Sequence, residues 1–206
     1  MMEKKTRILA ASDIHGDVRA VKRLVAKAKR EKVDAVVLCG DITFFNMEVD
    51  GLFKPFADAG LYVLLIPGNH EPISTTDFFA RAYEGTVKHL HGYSTKIGDV
   101  GFFGCAATQL GFCAEDDKTI ENMLEKAHNS LEGLSKKVMV VHEPPHGTTL
   151  DNIGFHAGSR AVRNMIEKLQ PTLALCGHLH ETFEQEEIIG TTRVINAGPR
   201  GIVIEV

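Results

Sequence analysis

Five apolar runs in this chain each end in a polar cluster rich in Asp, Asn and His, and that repeated punctuation limits the folds open to it. The runs cover residues 6–12, 33–39, 61–66, 138–141 and 172–176. The clusters that follow them are Asp13-Ile14-His15, Gly40-Asp41, Gly68-Asn69-His70, His142 and Gly177-His178-Leu179-His180. Continuous apolar runs of this length read as strands buried on both faces, as in parallel sheets covered by helices. Residues 18–32 put Val18, Val21, Leu24, Val25 and Ala28 on one face and Lys and Arg on the other, which is helical spacing, with Asp17 suited to the positive end of the helix dipole. A less regular helix is expected over 48–59, so the first seventy residues read β-α-β-α-β.

The middle of the chain changes character. Residues 86–90, 93–97 and 100–105 read as short strands separated by turns such as Gly98-Asp99. A second amphipathic helix is expected over 115–131, through Ile120, Met123, Leu124, Ala127 and Leu131. A third is expected over 159–169, with Ser159 as its cap and Pro171 as its stop. The tail, 183–189, 192–196 and 201–206, reads as strands again. With no internal repeat or linker, the expectation is one domain over 1–206, a four-layer αββα sandwich of two mixed β-sheets flanked by helices.

Composition matters mainly for what it excludes. Lys plus Arg is 23 and Asp plus Glu is 27, so the formal charge of 23 − 27 = −4 gives no electrostatic reason to expect nucleic acid as a partner. The apolar run after the charged first residues is too short for a secretory signal, and no stretch approaches the ~20 residues of a membrane span. A cytoplasmic chain without membrane attachment is therefore expected. The cysteines Cys39, Cys105, Cys113 and Cys176 form no Cys-x-x-Cys pair and read as buried thiols.

In an open parallel sheet, ligands bind outside the carboxyl ends of the strands. All five clusters sit there, so they should meet in space. Together they offer carboxylates from Asp13 and Asp41, an amide oxygen from Asn69, and imidazoles from His15, His142, His178 and His180. Seven donors exceed what one tetrahedral ion can use, and one Asp could bridge two ions. Nitrogen and oxygen donors without thiolate suit Mn, Fe, Zn, Co or Ni. Residues at i and i+2 share a face on extended backbone but not on a helix, so Asp13/His15 and His178/His180 fit ligation from loops.

In that order the motifs resemble the calcineurin-like metallophosphoesterase superfamily, and residues 194–199 resemble its small prokaryotic members. The resemblance implies that Asp13, His15 and His180 hold one divalent ion with Asp41, and that Asn69, His142 and His178 hold a second with Asp41 bridging. Manganese is the first expectation for both. His70 would not ligate. It would serve as general acid to the leaving oxygen or stabilise transition-state charge, while a metal-bridging hydroxide attacks phosphorus in line. The implied substrate is a small phosphate ester, monoester or diester. One departure stands out: the family often shows Gly-Asp-x-x-Asp, the second acid supporting the catalytic His, and here Phe44 takes that place. Glu71, next to His70, is a candidate to orient it instead.

The remaining histidines, His89, His91, His128, His146 and His156, read as ordinary surface or core residues. His146 and His156 flank a loop, 144–158, at the expected mouth of the site, and are candidates for substrate contact. Arg160 and Arg200 are candidates for an anion clamp. Two other functions compete with the esterase. The superfamily's retromer subunit is a non-catalytic protein-binding scaffold, but such proteins typically lose donors, and here the set is complete. Its DNA-repair nucleases carry extra domains for DNA, whereas this chain is net acidic.

Overall fold

In a computed structural model describing residues 5–47 and 49–206, the first elements alternate as the sequence predicts. They are β1 (Arg7–Ala11), α1 (Val18–Glu31), β2 (Ala35–Cys39), α2 (Lys54–Asp58) and β3 (Val63–Ile66). The Asp17 side chain caps α1 by accepting from Arg19 N. Residue 48, the expected start of the second helix, lies outside the described residues, as do residues 1–4 of the expected domain. The observed α2 is shorter than expected. Pro55 stands in its first turn, where a missing N–H costs least, and the helix starts there.

One helix, α3 (Ile73–Ala82), has no counterpart in the sequence reading. Thr75 and Thr76 disfavour helix locally, and the Pro72 cap brings no side-chain oxygen. Packing overrides propensity: buried Phe79 lies on Phe53 with ring centroids 4.5 Å apart. There follow β4 (Val87–His89), β5 (Tyr93–Ile97), β6 (Val100–Gly104), α4 (Asp117–Asn129), β7 (Lys136–Val140), α5 (Arg160–Leu169) and β8 (Leu173–Cys176). The Ser159 hydroxyl caps α5, accepting from Val162 N at 3.3 Å. The tail forms β9 (Glu186–Ile189), β10 (Thr192–Asn196) and β11 (Ile202–Glu205). The strand expected from 183 begins only at 186, because His180–Thr182 turns in a short 3-10 helix first.

The strands form two mixed sheets, ordered β11-β1-β2-β3-β4 and β5-β6-β7-β8-β10-β9. In the first only β11 runs antiparallel; in the second β5 and β9 do. Side-chain alternation divides the interior into three cores. Ile8, Ala10, Val37 and Ile66 face Phe102, Val138, Val140 and Leu175 between the sheets. Leu9, Val36, Leu38 and Leu65 face α1, α2 and α3. Phe103, Met139, Val141 and Val194 face α4 and α5. Three cores separate four layers, helices–sheet–sheet–helices. Each large side chain fully buried there contributes roughly 1.5–3 kcal/mol before entropy is counted. Among the described residues no helix is long and apolar enough to cross a membrane.

Candidate metal centre

The carboxyl ends of β1, β2 and β3 in one sheet and of β7 and β8 in the other open toward one another, and their loops are tied by backbone bonds. Asp13 N and His15 N donate to the carbonyls of Gly40 and Asp41 at 3.0 and 2.9 Å. Gly177 N donates to the carbonyl of His142 at 2.9 Å. Bonds also cross between the sheets, among them His142 Nδ1 to the Cys39 carbonyl at 2.8 Å and His178 N to Asp13 Oδ2 at 3.0 Å. Four donors sit on left-handed backbone, Asp13 (φ 55), His15 (φ 47), Asp41 (φ 51) and His178 (φ 71). Each such residue costs on the order of 1 kcal/mol, which the surrounding bonds must offset. Two glycines make the close approach possible. A Cβ at Gly40 (φ 89) would lie 2.5 Å from His142 Nδ1, and one at Gly68 would lie 2.1 Å from Asp41 Oδ1.

Within this frame the predicted donors converge. Asp13, His15 and His180 form one group whose ligand atoms lie within 4.8 Å of one another, and Asp41, His142 and His178 form another. Asp41 stands between them, its Oδ2 3.9 Å from His15 Nε2 and 3.4 Å from His142 Nε2. Asn69 Oδ1 is 3.0 Å from both His142 Nε2 and His178 Nδ1. Asp13 Oδ1 is 3.6 Å from His180 Nε2 and 4.0 Å from His15 Nε2. These are long for hydrogen bonds but within the spread of two ligands on one ion at ~2.1 Å each. Among the described residues the buried Asp13 Oδ1 has no hydrogen-bond partner, an anionic oxygen that a cation would satisfy. Because His142 Nδ1 donates to a carbonyl, the ring in its neutral form would direct the Nε2 lone pair inward. On this geometry the donor set fits divalent cations.

Electrostatics without an ion match that reading. Burial opposes a charge on His142, but Asp41 and Asp13 outweigh it and raise the imidazole to about 10. Burial, then the neighbouring His142 cation, pushes His178 down to about 4. Burial also works against ionised Asp41, yet His142 and the His70 N–H hold it far below the usual carboxylate range. The proton on His142 stands where a cation would go, so metal uptake would release it.

His70 lies beside this centre. Its backbone N–H donates to Asp41 Oδ1 at 3.0 Å, and its Nε2 is 3.8 Å from Asp41 Oδ2. Its ligand atom also groups with those of His15 and Asp41, so distance alone does not separate it from the ligands. Among the described residues no carboxylate lies within hydrogen-bond reach of the ring, Asp41 Oδ2 at 3.8 Å being the nearest. Phe44 stacks on the ring with centroids 5.3 Å apart, and among the described residues the buried His70 Nδ1 has no partner.

The sequence expectation for Glu71 needs correction. Its fully buried carboxylate does not reach the His70 ring but accepts from Gly68, Ile42 and Thr43 N–H at 3.0, 3.2 and 3.1 Å. It staples the Asp41 loop to the Asn69 loop, and burial pushes it up to about 7. Two further supports went unread. Asn196 Nδ2 donates to Leu179 O and Thr182 Oγ1, both at 2.9 Å, fixing the His178–His180 turn. Buried Glu143 accepts from Gln109 N at 2.7 Å. The available signal was a polar residue directly beside a donor motif or a strand end.

Other candidates divide. His146 and His156 share Asp151 and line, with Gln109, Asp117 and Arg160, a recess of about 390 Å³. Arg200 pairs with Glu184 at the surface. His89 bonds Asp77, and His91 accepts from Ala106 N.

A family model described as calcineurin-like phosphoesterase matches residues 6–182. The uncharacterized protein MJ1162 of Methanocaldococcus jannaschii is 28% identical over 215 residues, covering 98% of this chain and 93% of its own length. Among solved structures, TT1561 of Thermus thermophilus superposes with a TM-score of 0.79 at 19% identity, covering 95% of this chain and 90% of its own. A dimetal phosphatase from Danio rerio superposes with a TM-score of 0.68 at 12% identity, covering 94% and 87%. At these identities the two structures show a common fold.

Proposed function

Because this chain belongs to the calcineurin-like phosphoesterase family, we propose that it is a two-metal phosphoesterase acting on small phosphomonoesters or phosphodiesters. The observation that carries the reading is Asp41 Oδ2, set 3.9 Å from His15 Nε2 on one side and 3.4 Å from His142 Nε2 on the other. One carboxylate so shared is what a pair of ions needs. Asp13, His15 and His180 would hold the first ion and Asn69, His142 and His178 the second, with Asp41 common to both. Manganese is the first choice of metal. When bound, the ions supply positive charge for phosphate oxygens and water acidified enough to act as a nucleophile.

The chain's own groups do the rest. Asn69 and the imidazoles fix the donor positions through the Glu71 and Asn196 supports. Phe44 and Phe45 shield His70 from water on its faces. His70 Nε2, 3.8 Å from Asp41 Oδ2, is assigned to deliver a proton or hydrogen bond to the leaving oxygen. Residues 1–206 act as one domain, in the cytoplasm, without nucleic acid.

The test is direct. Protein reconstituted with Mn should carry about two ions per chain and hydrolyse 4-nitrophenyl phosphate or its diester. Folded protein that turns over neither ester with any divalent metal sinks the proposal. Absence of bound metal would favour a binding scaffold on the same fold.

A further inference from the structure

Among the described residues, five of the nine exposed large apolar side chains stand on two loops: Phe44, Phe45 and Met47 on one, Leu110 and Phe112 on the other. Isolated exposed apolar residues are ordinary, but a cluster marks a contact surface. Both loops are fastened to the same dipeptide, Asn69-His70. On one side Phe44 and Phe45 lie on the His70 ring with centroids 5.3 and 4.4 Å away. On the other, Phe112 N donates to the Asn69 carbonyl at 3.2 Å, and a Cβ at Gly111 would lie 2.2 Å from that same oxygen.

Both loops are built rather than loose. Met47 N donates to the Phe44 carbonyl at 3.0 Å, and the Thr75 hydroxyl donates to the Asn46 side chain. Phe45 is held at φ 49, a region that bulky side chains avoid, and yet its ring is exposed. Thr108 Oγ1 donates to the Cys113 carbonyl at 2.8 Å across the base of the second loop. A strained, fixed, water-facing aromatic beside a reactive centre implies an occupant. A flat aromatic ring can lie against these rings in stacked or edge contact, with ring centroids roughly 4.5–7 Å apart as aromatic pairs prefer.

Resting on the phosphoesterase reading, we propose that the centre takes phosphate esters whose leaving group bears a flat aromatic ring, gripped by the rim of residues 44–47 and 110–112. The residue that removes an acid from beside His70, Phe44, thus supplies an apolar wall for the leaving group.

The experiment uses the metal-loaded full chain and three non-hydrolysable probes: phenylphosphonate, cyclohexylphosphonate and methylphosphonate. Dissociation constants come from calorimetry, and the ratio between probes cancels any change in the metal centre itself. Phenylphosphonate should bind about tenfold tighter than methylphosphonate. That ratio should fall to roughly threefold in Phe45→Ala and in Phe112→Ala, and approach one in the double variant. A wild-type ratio within about twofold overturns the proposal, as does cyclohexylphosphonate binding as tightly as phenylphosphonate. So does sedimentation showing a dimer that the double variant dissociates, since a second copy would then be the occupant. If none of the three probes binds and no ester turns over, the phosphoesterase reading itself has failed.

Discussion

Asp41 and Asp151 are both buried aspartates with histidines around them, and they differ in what their oxygens have left to give. Asp151 is saturated. It accepts from Thr148 N, Gly147 N and Gly158 N at 2.8, 3.1 and 3.0 Å, and from His156 Nδ1 at 2.8 Å. Among the described residues Asp41 accepts a single N–H, that of His70, on Oδ1 at 3.0 Å, and turns Oδ2 toward three imidazoles at 3.4 to 3.9 Å. The first carboxylate is a loop clasp, and the second keeps an oxygen in reserve. Counting His and Asp does not separate the two; counting the N–H groups already aimed at the carboxylate does.

That contrast breaks most visibly at Asp41. Asp41→Asn should strip metal below one ion per chain and cut turnover by about a thousandfold or more, read by elemental analysis and ester hydrolysis. Retention of both ions would remove Asp41 as the shared ligand. His70→Ala sharpens the same side. It should keep metal while turnover falls roughly a hundred- to ten-thousandfold, and metal loss equal to that of Asp41→Asn would make His70 a ligand. On the other side, Asp151→Ala leaves several buried N–H groups without an acceptor. It should lower the urea-unfolding free energy by about 3 kcal/mol, with two ions still bound by the folded protein.

The smallest effect concerns a buried histidine without a carboxylate of its own. Burial, and then His89, pushes His91 down to about 4. The folded state therefore prefers the neutral ring, so stability is full above about 6.5 and falls as pH drops toward 4. His91→Gln keeps an acceptor for Ala106 N. In metal-free protein it should flatten that loss by on the order of 2 kcal/mol between pH 7 and pH 4, measured against wild type. Parallel curves would show that His91 does not titrate with unfolding.

The two sheets and their layers were legible because buried strands announce themselves as apolar runs and exposed helix faces as charge. The elements that slipped were those where neighbours decide. The α3 helix carries paired threonines and no side-chain cap, and it forms because Phe79 has Phe53 to pack on. The convergence of the Asp, Asn and His clusters was legible from their place after strands, which needs no knowledge of distant partners. What Glu71 binds was not, since its three N–H donors come from two different loops. Nor was the shared anchorage of residues 44–47 and 110–112 on Asn69-His70, which rests on ring contacts to His70 on one side and a backbone bond to Asn69 on the other.

The last strands also set a timetable for folding. Gly198 N donates to Ser12 Oγ at 3.0 Å, Ser12 N returns a bond to the Gly198 carbonyl at 3.1 Å, and Asn196 fixes the His178–His180 turn. β11 then pairs with β1. The earliest and the latest donors are thus held by contacts that span nearly the whole polypeptide. During synthesis at the ribosome, Asp13 and His15 emerge long before the residues that brace their partners. The loops that carry Asp13 and the His178–His180 turn therefore gain their full bracing only once residues 196–205 have been made, long after Asp13 and His15.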